Sequence, residues 1–383
     1  MINSQCKTCG GCPLRSQEKA DYRVNKVKKF KDIISKIKNS SPKFDEPIFI
    51  ADSLRRRAEL AFVYNKHELK LGFNEKESHN IVNIDNCYML DESLNQLLPQ
   101  LHDFLKEFVS IPILLKNKKK KQEITYIKDG SVRLLKADNG IDILLILPAE
   151  PTVNHRMLIA EFINQHDSVI RISWQINNSK PEEIVTKATP KLFICDYEID
   201  IPNGAFLQAS KDAENKMIAK VIDYLGDCSG NIADLFCGLG TFTYPLSKIK
   251  NTNILSVDSS EVSLKGLEKA LDFNQIHNVK VVNKNLFKYP LDADELKSVS
   301  AIVIDPPRAG AHAQCQEISN LPDNNKLKKI IYVSCNPQTF VYDASILISK
   351  GYTFEKVTLV DQFVYSEHME LIALFSLNPK NKE

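Results

Sequence analysis

One cysteine of the chain is placed where it could act as a nucleophile. Cys335 stands in the sequence Ser-Cys-Asn-Pro at 334–337, directly after an apolar run at 329–333 that predicts a buried strand. A free thiol has a pKa near ~8.5, so it needs neighbouring cations or a helix dipole to become a reactive thiolate. A buried structural thiol is the alternative for Cys335 considered by itself. The other motifs of the chain favour the nucleophile.

Two glycines and an aspartate predict a site for an adenosine-containing cofactor. Gly238 and Gly240 follow an apolar run at 232–236 that predicts a strand, and they precede a predicted helix. Glycine at such a turn lets the backbone approach a ligand in front of a helix N-terminus. Asp258 ends the next predicted strand, where a carboxylate can accept hydrogen bonds from both hydroxyls of a ribose. Because the third glycine of the dinucleotide fingerprint is missing, S-adenosyl-L-methionine fits better than NAD.

A rigid loop follows another predicted strand. Residues 305–310 read Asp-Pro-Pro-Arg-Ala-Gly, and consecutive prolines fix the backbone where the strand ends. A plain turn is the alternative. Asp-Pro-Pro at such a position is typical of methyltransferases that act on planar nitrogen or base targets. In the amino-methylating group an aromatic residue usually follows, whereas here Arg308 follows, which indicates a different target atom.

A thiolate and a base would together methylate carbon 5 of a pyrimidine. That carbon is not nucleophilic by itself, but addition of a thiolate at carbon 6 places electron density on it. Carbon 5 can then attack the methyl group of a sulfonium, after which a base removes the carbon-5 proton so that the thiolate can leave. Glu370, in the sequence His-Met-Glu at 368–370, is the candidate base. A surface carboxylate is the alternative.

Alternating strands and helices must position these motifs. After about residue 210 the chain alternates predicted helices and strands, which indicates a parallel sheet with right-handed crossovers. Residues 48–205 contain short β-branched runs that predict a mostly β region. We therefore predict an α/β protein of two domains, 1–205 and 206–383. A basic amphipathic helix is predicted over residues 16–39, and it could pack on the second domain although it precedes the first domain's strands.

The motifs together resemble the RNA uracil-5-methyltransferases, which make 5-methyluridine with S-adenosyl-L-methionine. The resemblance rests on residues 206–208, 234–240, 305–310 and 334–337, and on 361–363 with 368–370. It implies a class I S-adenosylmethionine-dependent methyltransferase domain of Rossmann-like fold over 206–383, with Cys335 as nucleophile and Glu370 as base. The cofactor contacts that it implies are Gln208, Phe236, Gly238, Asp258 and Asp305. Asn285 stands where the family often has an acid facing the adenine, so we expect an amide contact there.

The N-terminal cysteines predict a metal cluster. Cys6, Cys9 and Cys12 form a C-x2-C-x2-C pattern, and three such thiolates with one distant thiolate can hold a 4Fe–4S cluster. Zinc is the alternative. The stretch from residue 71 to Cys87 resembles iron–sulfur members of the family, which implies Cys87 as the fourth ligand. We therefore expect the first domain to be a mixed α/β, iron–sulfur, RNA-binding domain.

RNA is the expected partner, and 23S ribosomal RNA the expected substrate, because the transfer-RNA branch resembles this sequence without the cluster cysteines. Transfer RNA remains the alternative substrate. A non-catalytic RNA-binding or assembly factor is an alternative of another class. Cytosine methylation of DNA is disfavoured, because its nucleophile would follow a proline in the loop at 305–310. The target base must be extruded from its stack to reach Cys335.

A local basic patch, rather than the net charge of the whole chain, is expected to bind the RNA. The net charge is +2, whereas residues 1–50 carry eleven Lys or Arg and five Asp or Glu, a balance of +6. Candidate phosphate contacts are the arginines at 55–57 and the lysines between Lys26 and Lys43. The sequence starts almost at the cysteine pattern, so we expect RNA contacts from residues 1–205 and the crevice rim, and not from the small β-barrel of many relatives.

The composition excludes several classes of protein. With 43% hydrophobic and 26% charged residues the chain is neither disordered nor fibrous. No apolar run approaches the ~18 residues of a membrane span. Nine unevenly spaced cysteines do not indicate a disulfide framework, and Cys195, Cys228, Cys237 and Cys315 receive no role. We expect a cytoplasmic monomer without a membrane or an obligate protein partner, and an exposed hairpin tip at the lysine-rich run 116–121.

Overall fold

The computed structural model describes residues 4–116, 122–322 and 324–377, and its contacts divide into two compact units. The first unit comprises Met1–Ser16, Ala51–Leu192 and Asp200–Lys211. The second comprises Gln17–Ile50, Phe193–Ile199 and Asp212–Glu383. Residues 17–50 thus group with the second unit. The predicted domain boundary at residue 205 stays a prediction, because this grouping does not test which segments fold independently.

The described residues form helices and strands that agree closely with the predicted ones after residue 210. The helices are α1 (Ser4–Thr8), α2 (Lys19–Ile34), α3 (Glu92–Phe108), α4 (Val153–Gln165), α5 (Lys211–Leu225), α6 (Thr243–Ser247), α7 (Glu261–Phe273), α8 (Ala293–Leu296), α9 (His312–Ser319) and α10 (Pro337–Ser349). Among the described helices, none has the length and apolar character that crossing a membrane requires.

The strands fall into two large sheets and two small ones. They are β1 (Lys43–Phe44), β2 (Ile48–Phe49), β3 (Arg57–Asn65), β4 (Glu68–Asn74), β5 (Ile81–Asn83), β6 (Pro112–Lys116), β7 (Gln122–Tyr126), β8 (Asp129–Ala137), β9 (Gly140–Leu147), β10 (Val169–Ile176), β11 (Glu182–Thr186), β12 (Lys191–Ile194), β13 (Tyr197–Asp200), β14 (Gly230–Leu235), β15 (Thr252–Asp258), β16 (Val279–Asn283), β17 (Val299–Ile304), β18 (Lys329–Ser334), β19 (Thr353–Asp361) and β20 (Glu370–Ser376).

The second unit is built on a nine-stranded sheet with the order β1-β19-β20-β18-β17-β14-β15-β16, in which β2 also pairs with β19. The strands from β18 to β16 are mutually parallel, whereas β20 runs antiparallel to both β18 and β19. This α/β arrangement confirms the predicted methyltransferase-like sheet. Strands covered on both faces by helices read as continuous apolar runs, and β17 and β18 do so in this sequence.

Helices close the apolar faces of this sheet. Asn336 caps the N-terminus of α10: its side-chain oxygen accepts the backbone N–H of Gln338, and Pro337 lies in the first turn. α10 buries Phe340 and Leu347 in the same apolar cluster that receives Phe30 and other apolar residues of α2. Residues 17–50 therefore belong to this core through their apolar side chains.

The first unit contains a seven-stranded sheet with the order β11-β10-β9-β8-β3-β4-β5. Its pairs are antiparallel apart from β9 and β10, which are parallel. Apolar residues of α3 and α4 share one buried cluster with the strands. β6 and β7 pair as antiparallel arms. The predicted hairpin tip between them, residues 117–121, lies outside the described residues.

One buried ion pair fixes two neighbouring strands of the first unit. Arg171 of β10 donates to both carboxylate oxygens of Asp142 of β9, at 2.9 and 2.7 Å. It also donates to the backbone oxygen of Ile201 at 3.1 Å. The side chains of Arg171 and Asp142 are only 3% and 8% exposed, so loss of the arginine would leave a buried carboxylate without its counter-charge.

We expect Arg171→Met to lower the free energy of unfolding of the first unit by about 3–5 kcal/mol, because it isolates the buried Asp142. The change can be followed in urea by the fluorescence of Trp174, the only tryptophan of the chain, which is buried on β10. Arg133→Met is the matched control, because the ion pair of Arg133 with Glu59 is exposed to solvent. Its loss should change the free energy of unfolding by at most ~1 kcal/mol. Equal effects of the two substitutions would contradict this account.

Candidate active site

The predicted site residues of the second unit lie where its parallel strands end, and we call this side of the sheet the carboxyl edge. Residues 236–240 follow β14, Asp258 ends β15, Asp305 follows β17 and Cys335 follows β18. Glu370 is the first residue of β20, which starts at this edge because it is antiparallel to β18. In open α/β sheets ligands bind outside the carboxyl ends of the strands.

The turn after β14 is shaped to face a ligand. Phe236 and Gly238 have φ values of 61° and 55°, in the left-handed region. A Cβ atom added to Gly238 would meet no heavy atom within 4 Å, so the turn borders open space. The N–H groups of Gly238 and Ser260 donate to the two carboxylate oxygens of Asp258, at 2.9 and 2.7 Å. Each oxygen keeps a second acceptor position, which suits the hydroxyls of a ribose.

The loop after β16 places Asn285 beside this acid. The N–H of Lys284 donates to the backbone oxygen of Asp258 at 2.8 Å. The side-chain oxygen of Asn285 accepts the N–H groups of Phe287 and Lys288 at 3.1 and 3.3 Å. The amide nitrogen is therefore the part of Asn285 suited to meet a ligand. An open pocket is lined by Ser259, Asn283, Lys284, Asn285, Lys288, Tyr289, Pro290, Asp292 and Glu317.

Strand register brings the predicted nucleophile and base together. Ser334 of β18 pairs with Leu371 of β20, and Cys335 and Glu370 are the residues next to this last pair of the ladder. The two side chains are close enough for the charge of Glu370 to raise the pKa of the Cys335 thiol. Glu370 is 4% exposed, and its carboxylate accepts a hydrogen bond from the amide of Gln362 at 2.5 Å. The thiol and the carboxylate are 35 residues apart in sequence and become neighbours only because β20 is inserted beside β18.

The electrostatics of the site oppose ionisation of the thiol. Burial, with the negative charges of Glu370 and Asp305, raises the pKa of Cys335 to about 11. Burial raises the pKa of Asp305 well above its ordinary value, and the negative charges of Glu370 and Asp234 add to this effect. Burial also raises the pKa of Asp234 to about 7, although the hydroxyl of Thr243 donates to it. The other carboxyl oxygen of Asp234 is buried without a hydrogen-bond partner. Such a group of carboxyls would be stabilised by a cationic ligand.

Polar contacts join the three loops around Cys335. The guanidinium of Arg308 lies 3.1 Å from Nδ1 of His368, two residues before Glu370. The backbone oxygen of Arg308 accepts from the amide of Asn336 at 2.9 Å and from the hydroxyl of Thr339 at 3.3 Å. The proline loop, the start of α10 and the residues before β20 are therefore held as one group.

Sequence reasoning assigned no role to two side chains that support this site. Gln362 lies within a motif used for the family resemblance, yet only the fold shows that it contacts Glu370. Asp343 of α10 accepts the N–H of Ala311 and the hydroxyl of Tyr332, at 2.7 and 2.6 Å. No local sequence pattern pairs a helix carboxylate with a loop 32 residues earlier.

The four N-terminal cysteines and Gln208 lie in the first unit. Cys6, Cys9, Cys12 and Cys87 are all free thiols and line one cavity, together with Gly11, Arg15, Arg55, Phe73, Ile84, Asn86, Tyr88, Met89 and Leu90. Burial, then the neighbouring thiols, raise the pKa of Cys12 to about 12. Within the described ranges, no three His, Cys, Asp or Glu side chains are arranged so that they could hold a metal ion. The metal site therefore stays a prediction.

Two expected phosphate contacts are wrong. Lys26 and Arg56 are each only 4% exposed, and the ammonium of Lys26 is paired with the buried carboxylate of Asp361, so neither presents its charge to phosphates at the surface. Arg56 instead donates to the backbone oxygen of Gln208 at 3.0 Å, within the first unit. Arg57 stacks on the exposed ring of Phe206, with 4.2 Å between the guanidinium carbon and the ring centroid. The cofactor contact of Gln208 stays a prediction.

Comparison with known proteins gives consistent matches. The family model described as tRNA (uracil-5-)-methyltransferase matches residues 191–377. An uncharacterized RNA methyltransferase of Agrobacterium fabrum is 31% identical over 96% of this chain and 82% of its own length. The 23S rRNA (uracil(1939)-C(5))-methyltransferase RlmD of Shewanella frigidimarina is also 31% identical, over 97% of this chain and 80% of its own.

A solved structure shares the fold. The Pyrococcus abyssi tRNA (uracil-54, C5)-methyltransferase, in complex with S-adenosyl-L-homocysteine, superposes with a TM-score of 0.72. The match covers 95% of this chain and 85% of the other, at 23% identity.

We expect the Cys335 thiol of the ligand-free protein to react slowly with iodoacetamide, because its pKa is raised to about 11. Roughly one thiol in a thousand would be ionised at pH 8, and the rate should rise about tenfold per pH unit below that pKa. Mass spectrometry of the peptide that contains Cys335 measures the rate between pH 7 and 10. Glu370→Gln removes a neighbouring negative charge and should speed the reaction, whereas Glu367→Gln, at an exposed position, should not. A rate that is already constant above pH 8 would contradict the raised pKa.

Proposed function

The chain belongs to the family of RNA uracil-5-methyltransferases, and on that premise we propose that it methylates carbon 5 of a uridine in 23S ribosomal RNA. S-adenosyl-L-methionine is the methyl donor of this family. The observation that carries the proposal is the position of Cys335 and Glu370 at the carboxyl edge, next to the Ser334–Leu371 pair and close enough for Glu370 to raise the pKa of the thiol. A nucleophile and a base on the same base ring are what carbon-5 methylation needs.

The proposed reaction uses each of these side chains once. The Cys335 thiolate forms a bond to carbon 6 of the uracil, and the electrons of the double bond move into an enolate. Carbon 5 then attacks the methyl carbon of the sulfonium, whose carbon–sulfur bond breaks to leave a neutral thioether. Glu370 takes the proton from carbon 5, the double bond forms again, and the bond between carbon 6 and Cys335 breaks to release the thiolate.

The electrostatics of the site support binding of the positively charged methyl donor. The negative neighbours that raise the pKa of Cys335 are Glu370 and Asp305. A sulfonium bound among these groups would be attracted to them and would offset their effect on the thiol. We infer that the thiol becomes a nucleophile only in the presence of the donor, which keeps it unreactive in the free protein.

Residues at the carboxyl edge of the sheet also supply the proposed contacts to the methyl donor. We propose that Asp258 accepts the ribose hydroxyls, with its carboxylate held by the N–H groups of Gly238 and Ser260. The backbone at Gly238 borders the open space that the donor would enter, and Phe236 lies in the same turn. Asn285 would donate to the adenine, and Asp305 would contact the rest of the donor.

We expect the wild-type protein to transfer labelled methyl groups to 23S RNA transcripts and to yield 5-methyluridine on digestion. Cys335→Ala should give no detectable methylation, because no covalent activation of carbon 5 remains. Glu370→Gln should slow turnover by roughly 10²–10⁴-fold and leave methylated RNA bound to the protein, because the adduct cannot lose its proton. The bound RNA is measured by denaturing gel electrophoresis.

Two comparisons decide between the alternatives. Transfer RNA transcripts are tested in parallel, and faster methylation of these would replace ribosomal RNA as the substrate. RNA binding without methyl transfer by the wild type would indicate the non-catalytic factor. Methylation by Cys335→Ala would refute the covalent mechanism.

We also propose that Cys6, Cys9, Cys12 and Cys87 hold a 4Fe–4S cluster. The support is that four free thiols line one cavity and that three of them follow the C-x2-C-x2-C spacing. In that cavity the pKa of Cys12 is raised by burial and by Cys87 and Cys9, and bound iron would relieve this repulsion. When bound, the cluster would stabilise the N-terminal segment, since the proposed reaction needs no redox step.

Protein purified without oxygen should contain about four iron atoms and four sulfides per chain, with visible absorbance near 400 nm. Cys87→Ser should lower the iron content strongly, whereas Cys228→Ser, a half-buried cysteine of the second unit, should leave it unchanged. Iron and sulfide analysis with metal quantification checks both. Zinc without iron would overturn the cluster in favour of the alternative metal.

A further inference from the structure

A buried lysine contacts the residues that lead to the proposed base. Lys26 of α2 and Asp361, the last residue of β19, form an ion pair at 2.5 Å, and their side chains are 2% and 1% exposed. Tyr22, one helical turn earlier on α2, donates its hydroxyl to the other oxygen of Asp361 at 2.8 Å. The Lys26 ammonium also lies 2.8 Å from that hydroxyl. The three side chains form one closed polar group inside the second unit.

The same ammonium reaches further along the chain. It donates to the backbone oxygens of Ser366 and Phe363, at 3.0 and 3.4 Å. Residues 361–370, which we call the base-bearing segment, begin at Asp361 and end at Glu370. Lys26 therefore holds this segment at its first residue and at two points inside it.

Gln362 connects the Lys26–Asp361 ion pair to the carboxylate of Glu370. It follows Asp361 directly, and its amide donates to Glu370 at 2.5 Å. A shift of Asp361 would move the amide that orients the base. Ser366 also accepts the N–H of His368 through its hydroxyl at 3.2 Å, which carries the constraint to the residues next to Glu370.

Stability alone does not account for this arrangement. Removal of two charges from water costs several kcal/mol per ion, and apolar replacements of buried ion pairs are often neutral or stabilising. A buried pair is therefore weak evidence for a role in stability. Its contacts go to backbone oxygens of a loop, and such contacts select one conformation of that loop.

We propose that Lys26 is a positioning residue for the proton-removal step, which acts by fixing the base-bearing segment so that Gln362 and Glu370 meet carbon 5 of the uracil. This inference rests on the proposed function. Lys26 does not touch the reacting atoms. Because Glu370 acts after the methyl group has moved, an effect on its position slows release of the RNA and spares methyl transfer.

The test separates these two steps in a single turnover with 23S RNA and labelled donor. Total label on RNA measures methyl transfer, and label on RNA that is free of protein under denaturing conditions measures release. For Lys26→Met we expect methyl transfer close to the wild-type rate and release slowed by roughly 10–100-fold, with methylated RNA accumulating on the protein. Lys220→Met, a lysine of α5 paired with Asp45 in the same unit, should leave the ratio of the two rates unchanged.

A second variant guards against loss of folding. Lys26→Met isolates the buried Asp361, whereas the double variant Lys26→Met with Asp361→Asn carries no unpaired charge and keeps an acceptor for Tyr22. The double variant should also retain methyl transfer and accumulate the adduct. Unchanged release in the double variant, or equal slowing of both steps, would overturn the positioning role.

Glu370→Gln in the same experiment separates the two proposals. If it accumulates methylated adduct and the Lys26 variants do not, the positioning role fails and the proposed function stands. If Glu370→Gln accumulates no adduct while the wild type still forms 5-methyluridine, the assignment of Glu370 as base fails and the positioning role fails with it. If the wild type forms no 5-methyluridine, the proposed function itself fails.

Discussion

β20 enters the second sheet between β18 and β19 and runs against both of them. An antiparallel strand starts at the edge where its parallel neighbours end, so its first residue lies beside the loops that follow them. That residue is Glu370, and it follows on from the Ser334–Leu371 pair, so it lies near Cys335. The pairing of a nucleophile with a base therefore depends on the direction of one strand. The contacts of Arg308 with His368 and of Lys26 with residues 361–366 hold the approach to that strand.

The charges at this edge bear on how a half-buried thiol can be both stable and reactive. Carboxyl groups of Asp234, Asp305 and Glu370 lie close enough to influence one another, and the pKa values of Asp234 and Asp305 are raised. The same surroundings raise the pKa of Cys335, which favours the protonated thiol in the free protein. A site of this kind attracts a cationic donor. In the proposed function the positive charge of the bound donor lowers the pKa of the thiol, so that the thiol ionises only when the donor is bound.

Much of the site could be predicted because its signals are local. An apolar run followed by Gly-x-Gly, Asp-Pro-Pro or Ser-Cys-Asn-Pro predicts a strand and the loop after it, and the fold only has to bring such loops to one edge. The pairing of Lys26 with Asp361 could not be predicted, since 335 residues separate them and lysines on a helix are usually solvated. The prediction that Lys26 and Arg56 contact RNA is wrong because both are held by distant partners, Lys26 by Asp361 and Arg56 by the backbone oxygen of Gln208. The cysteine spacing predicts a ligand set, but the placement of the fourth thiol depends on tertiary structure.

The covalent use of Cys335 is the central claim, and trapping the adduct tests it most directly. In 23S RNA transcribed with 5-fluorouridine, the fluorine on carbon 5 cannot be removed as a proton, so the reaction should stop after methyl transfer. Mass spectrometry of the digested complex should then find a methylated fluorouridine nucleotide on the peptide that contains Cys335, only when S-adenosyl-L-methionine is present. Absence of a covalent complex, or its attachment to another residue, would contradict the account.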